Sequence, residues 1–284
     1  ASVWQMRGRF RMLALVLLGM LGSPAAAESG YVAPRGPAGK PDLNGTWQAM
    51  SRANYDLEHH PAKAAMAFRE GPVGPVPAKE VVAFGAVGAV PAGLGVVVSG
   101  EIPYRPEARK KQLENRENWL SRDPEIKCYL PGIPRATYMP YPFQILHNED
   151  ALFFSYEYAG AVRNIHLEDP GPAPIDSWMG QSVGTWQGDT LVIETTGQNA
   201  ETWLDRAGNF HSEGLRVVER FTPTSSHTMS YQATLEDEKI FTRPWTIQLT
   251  LYRLVGNDAH LQQFKCVEFV EELLYGHLRK NPLD

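Results

Sequence analysis

The loop Asp205-Arg-Ala-Gly-Asn-Phe-His211-Ser-Glu213 places one imidazole between two carboxylates within nine residues. General acid–base chemistry needs such a pairing, because a carboxylate can fix the tautomer of a histidine that then moves protons near neutral pH. Arg216 follows at the start of a β-pattern and could hold an anion or a developing negative charge. His211, Asp205 and Arg216 are therefore the candidate catalytic residues. The competing reading is a surface loop whose polar groups cap turns, with Arg216 pairing to Glu219 along the strand.

A second set suits binding rather than catalysis: Arg135, Tyr138, Tyr141, Tyr156, Tyr158, Arg163 and His166. Tyr156 and Tyr158 continue the alternation of Leu152 and Phe154, so they fall on one strand face that lines a cavity or builds core. Arg163 and His166 stand on opposite faces of the next strand, and only one of them can point inward.

Other signatures carry less. Gly180-Gln-Ser-Val-Gly184 spells Gly-x-Ser-x-Gly, but a strand and hairpin follow Ser182 where a nucleophile elbow needs a helix. His59-His60 lie beside Asp56 and Glu58, yet adjacent residues project apart and hold one ion poorly, so a solvent-exposed pair and no metal site are expected. There is no phosphate-cradling Gly-Lys-Ser/Thr loop, no His-Glu-x-x-His and no dinucleotide fingerprint, so no cofactor is implied.

Strands must position these residues. From Phe143 the pattern has period two, through 143–147, 152–158, 162–167, 183–186, 190–195, 215–222, 228–235, 245–254 and 260–269. Short strands without long helices between them predict a mainly β domain, an antiparallel meander closing into a barrel of about 8–10 strands. A two-sheet sandwich is the alternative. Two short helices are expected ahead of it, one around Ala62–Phe68 within Tyr55–Arg69 and one over Pro106–Leu120, whose basic start reads as a solvated face. The Gly/Pro-rich apolar stretch 71–100 is too apolar for a linker and should pack on the domain or cover an opening.

Asn44-Gly-Thr-Trp47 resembles the Gly-x-Trp opening of lipocalin-like (calycin) barrels, which implies a tryptophan filling one end of a barrel. A larger part of the chain, about Asp42 to Phe269, resembles a group of exported bacterial proteins of undescribed activity. The likeness is carried by Cys128-Tyr-Leu-Pro-Gly-Ile-Pro-Arg135, Pro142-Phe-Gln-Ile145, the run Ser182 to Thr196, Thr202-Trp-Leu-Asp205 and the run His211 to Phe221. It implies fold and location, and no activity.

Export is expected from the N-terminal residues themselves. Arg7, Arg9 and Arg11, the apolar run Met12 to Leu21, and Ser23-Pro-Ala-Ala-Ala27 form the three parts of a secretory signal, cleaved after Ala27. The apolar run of about ten residues is half of what a membrane span requires, so no stable span is expected after cleavage. Ala1–Gln5 precede the expected start methionine, and 28–41 read as a flexible leader to a single domain over 42–284. The whole chain has 27 Lys+Arg against 32 Asp+Glu; without the three signal arginines it has 24 against 32, or −8. That balance argues against a nucleic-acid partner. Cys128 and Cys266 are the only cysteines, the number for one disulfide in a periplasmic or secreted protein. The leading functional expectation is an exported barrel that binds a small hydrophobic or aromatic molecule. The alternatives are a cofactor-free lyase, isomerase or hydrolase using the same cavity, and a cell-envelope interaction protein.

Overall fold

The computed structural model describes residues 30–63, 68–69, 76–77 and 90–267. Residues 1–27, where an export signal is expected, and most of 71–89 lie outside the described residues. Nine strands close into a barrel: β1 (Gly45–Ala49), β4 (Phe143–His147), β5 (Leu152–Tyr156), β6 (Val162–His166), β7 (Gln181–Gln187), β8 (Thr190–Thr196), β9 (Arg216–Pro223), β10 (Thr228–Glu236) and β11 (Trp245–Arg253). The pairs Phe68–Arg69 (β2) and Val76–Pro77 (β3) form a separate two-stranded ribbon. β1 pairs with both β4 and β11, which closes the ring and decides barrel over sandwich.

Period-two burial runs through the strands as the sequence predicts: Met229, Tyr231, Ala233 and Leu235 of β10 face inward, as do Trp245, Ile247, Leu249 and Leu251 of β11. The meander departs from expectation once. β6 and β7 run parallel, with Ile165 opposite Ser182. The Pro/Gly-rich segment 167–180 is long enough to carry the chain back to the end at which β6 began, as a parallel connection requires.

Trp47 is buried at the base of the barrel, donates its Nε1–H to the Leu43 carbonyl at 2.9 Å, and is covered by the Arg253 guanidinium 4.5 Å from its ring. Gly45 has φ 137°, a backbone conformation that an L side chain rarely adopts, and a Cβ there would come 2.5 Å from Arg253 Nη1.

Over the opposite end pack loops from 50–63, 93–139 and 198–214, with three helices: α1 (Pro106–Glu117), α2 (Trp119–Arg122) and α3 (Arg135–Tyr138). α1 begins with Pro at its first turn as expected. Its buried face is polar rather than apolar: Gln112 and Asn115 donate to the Ala207 and Gly208 carbonyls, while Leu113 is exposed. Gly208 allows this approach, since a Cβ there would lie 2.6 Å from the Arg116 nitrogen.

The short helix expected around Ala62–Phe68 lies mostly outside the described residues; ahead of it Tyr55–Lys63 forms turns, with His60 pairing to Gly93 and Lys63 to Val90. One element expectation is corrected. The C-terminal stretch 260–267 is not a strand. Both neighbours of β11 are taken, by β10 on one side and by β1 and the Val96–Val98 segment on the other. The chain instead runs over the barrel as a strap fastened by the Cys128–Cys266 disulfide. The described part of the apolar stretch packs on the domain. Val98 donates to Thr246 and accepts nothing in return, while Gln248 donates to Val96, filling the length of β11 that β1 leaves unpaired. Residues 31–41, read as a leader, make a turn closed by Arg35–Pro41 pairing, with Arg35 ion-paired to Asp189 at 2.6 Å.

Candidate functional site

Six consecutive strands each send one polar side chain into the barrel: Tyr156 (β5), Arg163 (β6), Ser182 (β7), Thr195 (β8), Glu219 (β9) and Tyr231 (β10). None is more than 2% exposed. Arg163 is the centre of this belt. Its Nε donates to Ser182 Oγ at 2.8 Å, and its Nη2 donates to Thr195 Oγ1 at 2.6 Å and to Glu219 Oε2. Glu219 Oε1 accepts from the Tyr231 hydroxyl at 2.8 Å and from Thr137 of α3 at 3.5 Å. Burial weighs against the Arg163 charge, but Glu219 and Tyr156 beside it hold the guanidinium above its ordinary range.

Two groups of the belt make no well-formed hydrogen bond, Arg163 Nη1 and the Tyr156 hydroxyl; they lie beside each other and interact loosely, with Thr137 close to the hydroxyl as well. Burial raises the Tyr156 phenol, and the Arg163 charge opposes that rise. Aromatic rings wall the same interior. Phe154 lies 5.7 Å beneath the guanidinium, stacks on Phe143 at 5.8 Å and meets Phe221 edge-on at 5.4 Å. The arrangement is a hydrogen-bonding centre in an aromatic cage.

Of the binding candidates, the structure brings Tyr156 and Arg163 together at this centre. Arg163 is the inward residue of its strand, and His166 lies on the outward face. Tyr138 is buried in α3 and donates to the Leu204 carbonyl at 2.7 Å. Tyr158 does not continue the strand face of Tyr156; it sits in a turn after β5 and donates to the Glu125 carbonyl at 3.2 Å. Tyr141 and Tyr158 pack on Phe264 of the strap, at 5.1 and 4.9 Å. Arg135 belongs to a separate buried ion cluster, bonded to Asp123, Glu125 and Asn54. Arg206 joins the same cluster through Glu125, which Arg206 and Arg135 pull down to about 2 against its burial.

The catalytic candidates are placed apart in their bonding. Asp205 accepts from the backbone of Leu57, Ala207 and Asn209 and from the Asn209 side chain, and makes no hydrogen bond to His211. Burial and then the charge of Asp56 push its carboxyl up to about 7. His211 donates from Nδ1 to the Ser212 carbonyl at 2.7 Å, so its Nε2 is the acceptor for the Thr202 hydroxyl. Burial lowers its basicity, which favours that neutral form. Arg216 is on the outer face of β9, bridging Glu194 and Glu236. It cannot pair with Glu219 along the strand, since residues three apart point to opposite faces. Ser182 meets Arg163 and Thr195 and no base, which removes the activation a nucleophilic serine needs.

Glu219 and Tyr231 were missed as site residues, though a signal existed. Leu215, Val217, Glu219 and Phe221 share one strand parity, and a carboxylate in an apolar row marks a charge that must be met inside. The histidine pair is half corrected: His59 is exposed, but His60 is 4% exposed and held between the Glu58 and Pro91 carbonyls. Among the described residues no group of three or more His, Cys, Asp and Glu is placed to hold a metal, and no helix is long and apolar enough to cross a membrane.

Among the described residues, clefts open on the outside. One of about 600 Å³ runs from Arg105 past Arg216 to Arg243; one of about 680 Å³ crosses the outer face of β7–β9; one of about 540 Å³ lies under the strap and reaches Tyr156. No family model, no curated protein and no solved structure matches this chain.

Proposed function

We propose that this chain is an exported barrel protein that holds a small hydrophobic or aromatic molecule inside the barrel. One observation carries the reading. Two fully buried polar groups on neighbouring strands, Arg163 Nη1 and Tyr156 Oη, contact each other loosely and make no well-formed hydrogen bond, beside the aromatic rings of the interior. Buried polar groups are nearly always met, and one met only loosely beside a set of rings is the usual chemistry of a site that orients an apolar ligand by a few polar contacts. The disulfide supports an oxidising compartment, periplasmic or secreted. The separate engagement of Asp205, His211 and Arg216 gives the acid–base alternative no comparable support.

A thermal-shift screen of small neutral and acidic aromatic compounds tests the proposal on the secreted chain. Ligands that bind only the folded state raise Tm with concentration. The expected hits also quench tryptophan emission, and their effect weakens in Tyr156→Phe. A screen in which no compound raises Tm would end this reading.

A further inference from the structure

We propose that the Cys128–Cys266 bridge is a redox latch: a partner protein carrying a dithiol docks on the apolar residues around it, reduces it, and so releases the strap over 255–267 from an intact barrel. The latch is independent of what the interior holds.

The two ends of the bridge are held differently. Cys128 closes a turn in which the amides of Ile126, Lys127 and Cys128 donate to the carbonyls of Asp123, Pro124 and Glu125. Asp123 and Glu125 are themselves buried and ion-paired to Arg135. Cys266 lies in a segment without helix or strand, most of which is exposed from 255 to 267. Besides the bridge, that segment is fastened by the Thr46 hydroxyl on the Ala259 carbonyl, the Gln262 amide on Glu157, and Phe264 on Tyr141 and Tyr158. Breaking the bridge frees Cys266 and leaves Cys128 in place.

The barrel is complete without the strap. β1 pairs with both β4 and β11 and closes the ring, and no residue of 255–267 belongs to a strand. Between strap and barrel lies the cleft of about 540 Å³, lined by both cysteines, Ser155, Glu157 and Phe264. Release of the strap removes one wall of this cleft and takes Phe264 off Tyr141 and Tyr158.

The bridge is within reach of a reductant. Cys266 is exposed and Cys128 half-buried, and exposed bridges are the labile, regulatory kind. Apolar side chains on either side give a protein partner its footing. Tyr129, next to Cys128, is 43% exposed and packs on Trp178 at 4.9 Å, and Val267, next to Cys266, is 57% exposed. Exposed apolar and aromatic groups gathered at one place mark a protein contact. A thiolate of the partner attacks Cys266 Sγ, the S–S bond breaks, and Cys128 leaves as a thiolate that takes up a proton. The partner's second thiol then displaces Cys266, which is protonated in turn. The chain gains two electrons and two protons, and the partner that supplied them ends as a disulfide.

The test treats the oxidised protein with reduced thioredoxin or with dithiothreitol. Alkylation without denaturant, read by mass, reports thiol release, and hydrogen exchange reports which segments open. Thioredoxin is expected to open the bridge in the folded protein. Exchange within 255–267, at Gln262 above all, should then rise at least about tenfold while β8–β10 stay as protected as before, since local opening leaves core strands closed. Tyr129→Ala should slow thioredoxin at least about fivefold, as loss of an interface contact does, and leave the dithiothreitol rate unchanged. Tyr129 is exposed, so this variant should fold, and its melting curve checks it. A bridge that thioredoxin leaves intact in the folded protein, an equal rise of exchange in β8–β10, or a strap as protected after reduction as before would overturn the latch. Tyr129→Ala without effect on thioredoxin, or slowing both reductants alike, would overturn the docking surface.

Discussion

Glu219 and Arg163 show how a single buried pair governs its surroundings. Each alone would be an uncompensated charge at 2% exposure or less, and each is the other's counter-ion. Glu219→Gln should therefore destabilise the protein by about 3–5 kcal/mol, the cost of breaking a buried pair by removing one partner. Replacing both, as Arg163→Met with Glu219→Met, should recover much of that loss, and urea denaturation of the three variants measures it. Tyr156→Phe contrasts with these: it removes no charge and only the loose contact of its hydroxyl with Arg163 and Thr137, so the loss of stability should stay near about 1 kcal/mol. Asp205 predicts a pH dependence. Its carboxyl is raised to about 7 in the fold and titrates near 3.9 when unfolded, so between those values the folded state binds more proton. Its contribution is fully present below about pH 4 and is lost as pH rises through 7. The difference in unfolding free energy between wild type and Asp205→Asn should shift by on the order of 3 kcal/mol between pH 5 and 8, and a flat difference profile would contradict the assignment.

Among the elements, the strap is the one held by a covalent bond rather than a ladder. Residues 259–266 touch the barrel through Thr46, which donates to the Ala259 carbonyl, through Glu157, which accepts from Gln262, and through Phe264 on Tyr141 and Tyr158. Those contacts are few, and Cys266 closes a loop of 138 residues with Cys128. Cys128→Ser should lower the unfolding free energy by about 2–5 kcal/mol, with limited proteolysis cutting first within 255–267. Equal protease resistance of the two proteins would show that the strap is secured without the bridge. The segment Val96–Val98 acts in the opposite way. It completes β11 by backbone bonds, while Val97 packs into the core and Val98 faces outward.

For the whole molecule, closure of the sheet explains why a polar belt is tolerated. A barrel turns alternate residues of every strand toward one axis, so Tyr156, Arg163, Ser182, Thr195, Glu219 and Tyr231 meet although 75 positions separate the first from the last. The export reading makes its prediction at this scale: intact mass of the secreted protein should correspond to a chain beginning near Glu28. A product that retains residues 1–27 would refute cleavage after Ala27.

Periodicity and punctuation, both local properties, were legible in the amino-acid order. They determined the strands from Phe143 to Arg253, the helix beginning at Pro106 and the β character of the domain, because side-chain parity and turn chemistry act over a few residues. Half the binding centre was legible as well, through Tyr156 and Arg163. Its partner Glu219 stood in view on the apolar parity of β9, but which distant charge answers it is a question of strand order around the barrel. The pair Cys128–Cys266 follows from there being two cysteines, and the structure joins them as expected. Tertiary structure alone decided that β6 and β7 run parallel and that Asp205 and His211 bond to different partners. Those outcomes depend on which segments come to lie side by side when the sheet closes, and no spacing along the chain encodes that distance.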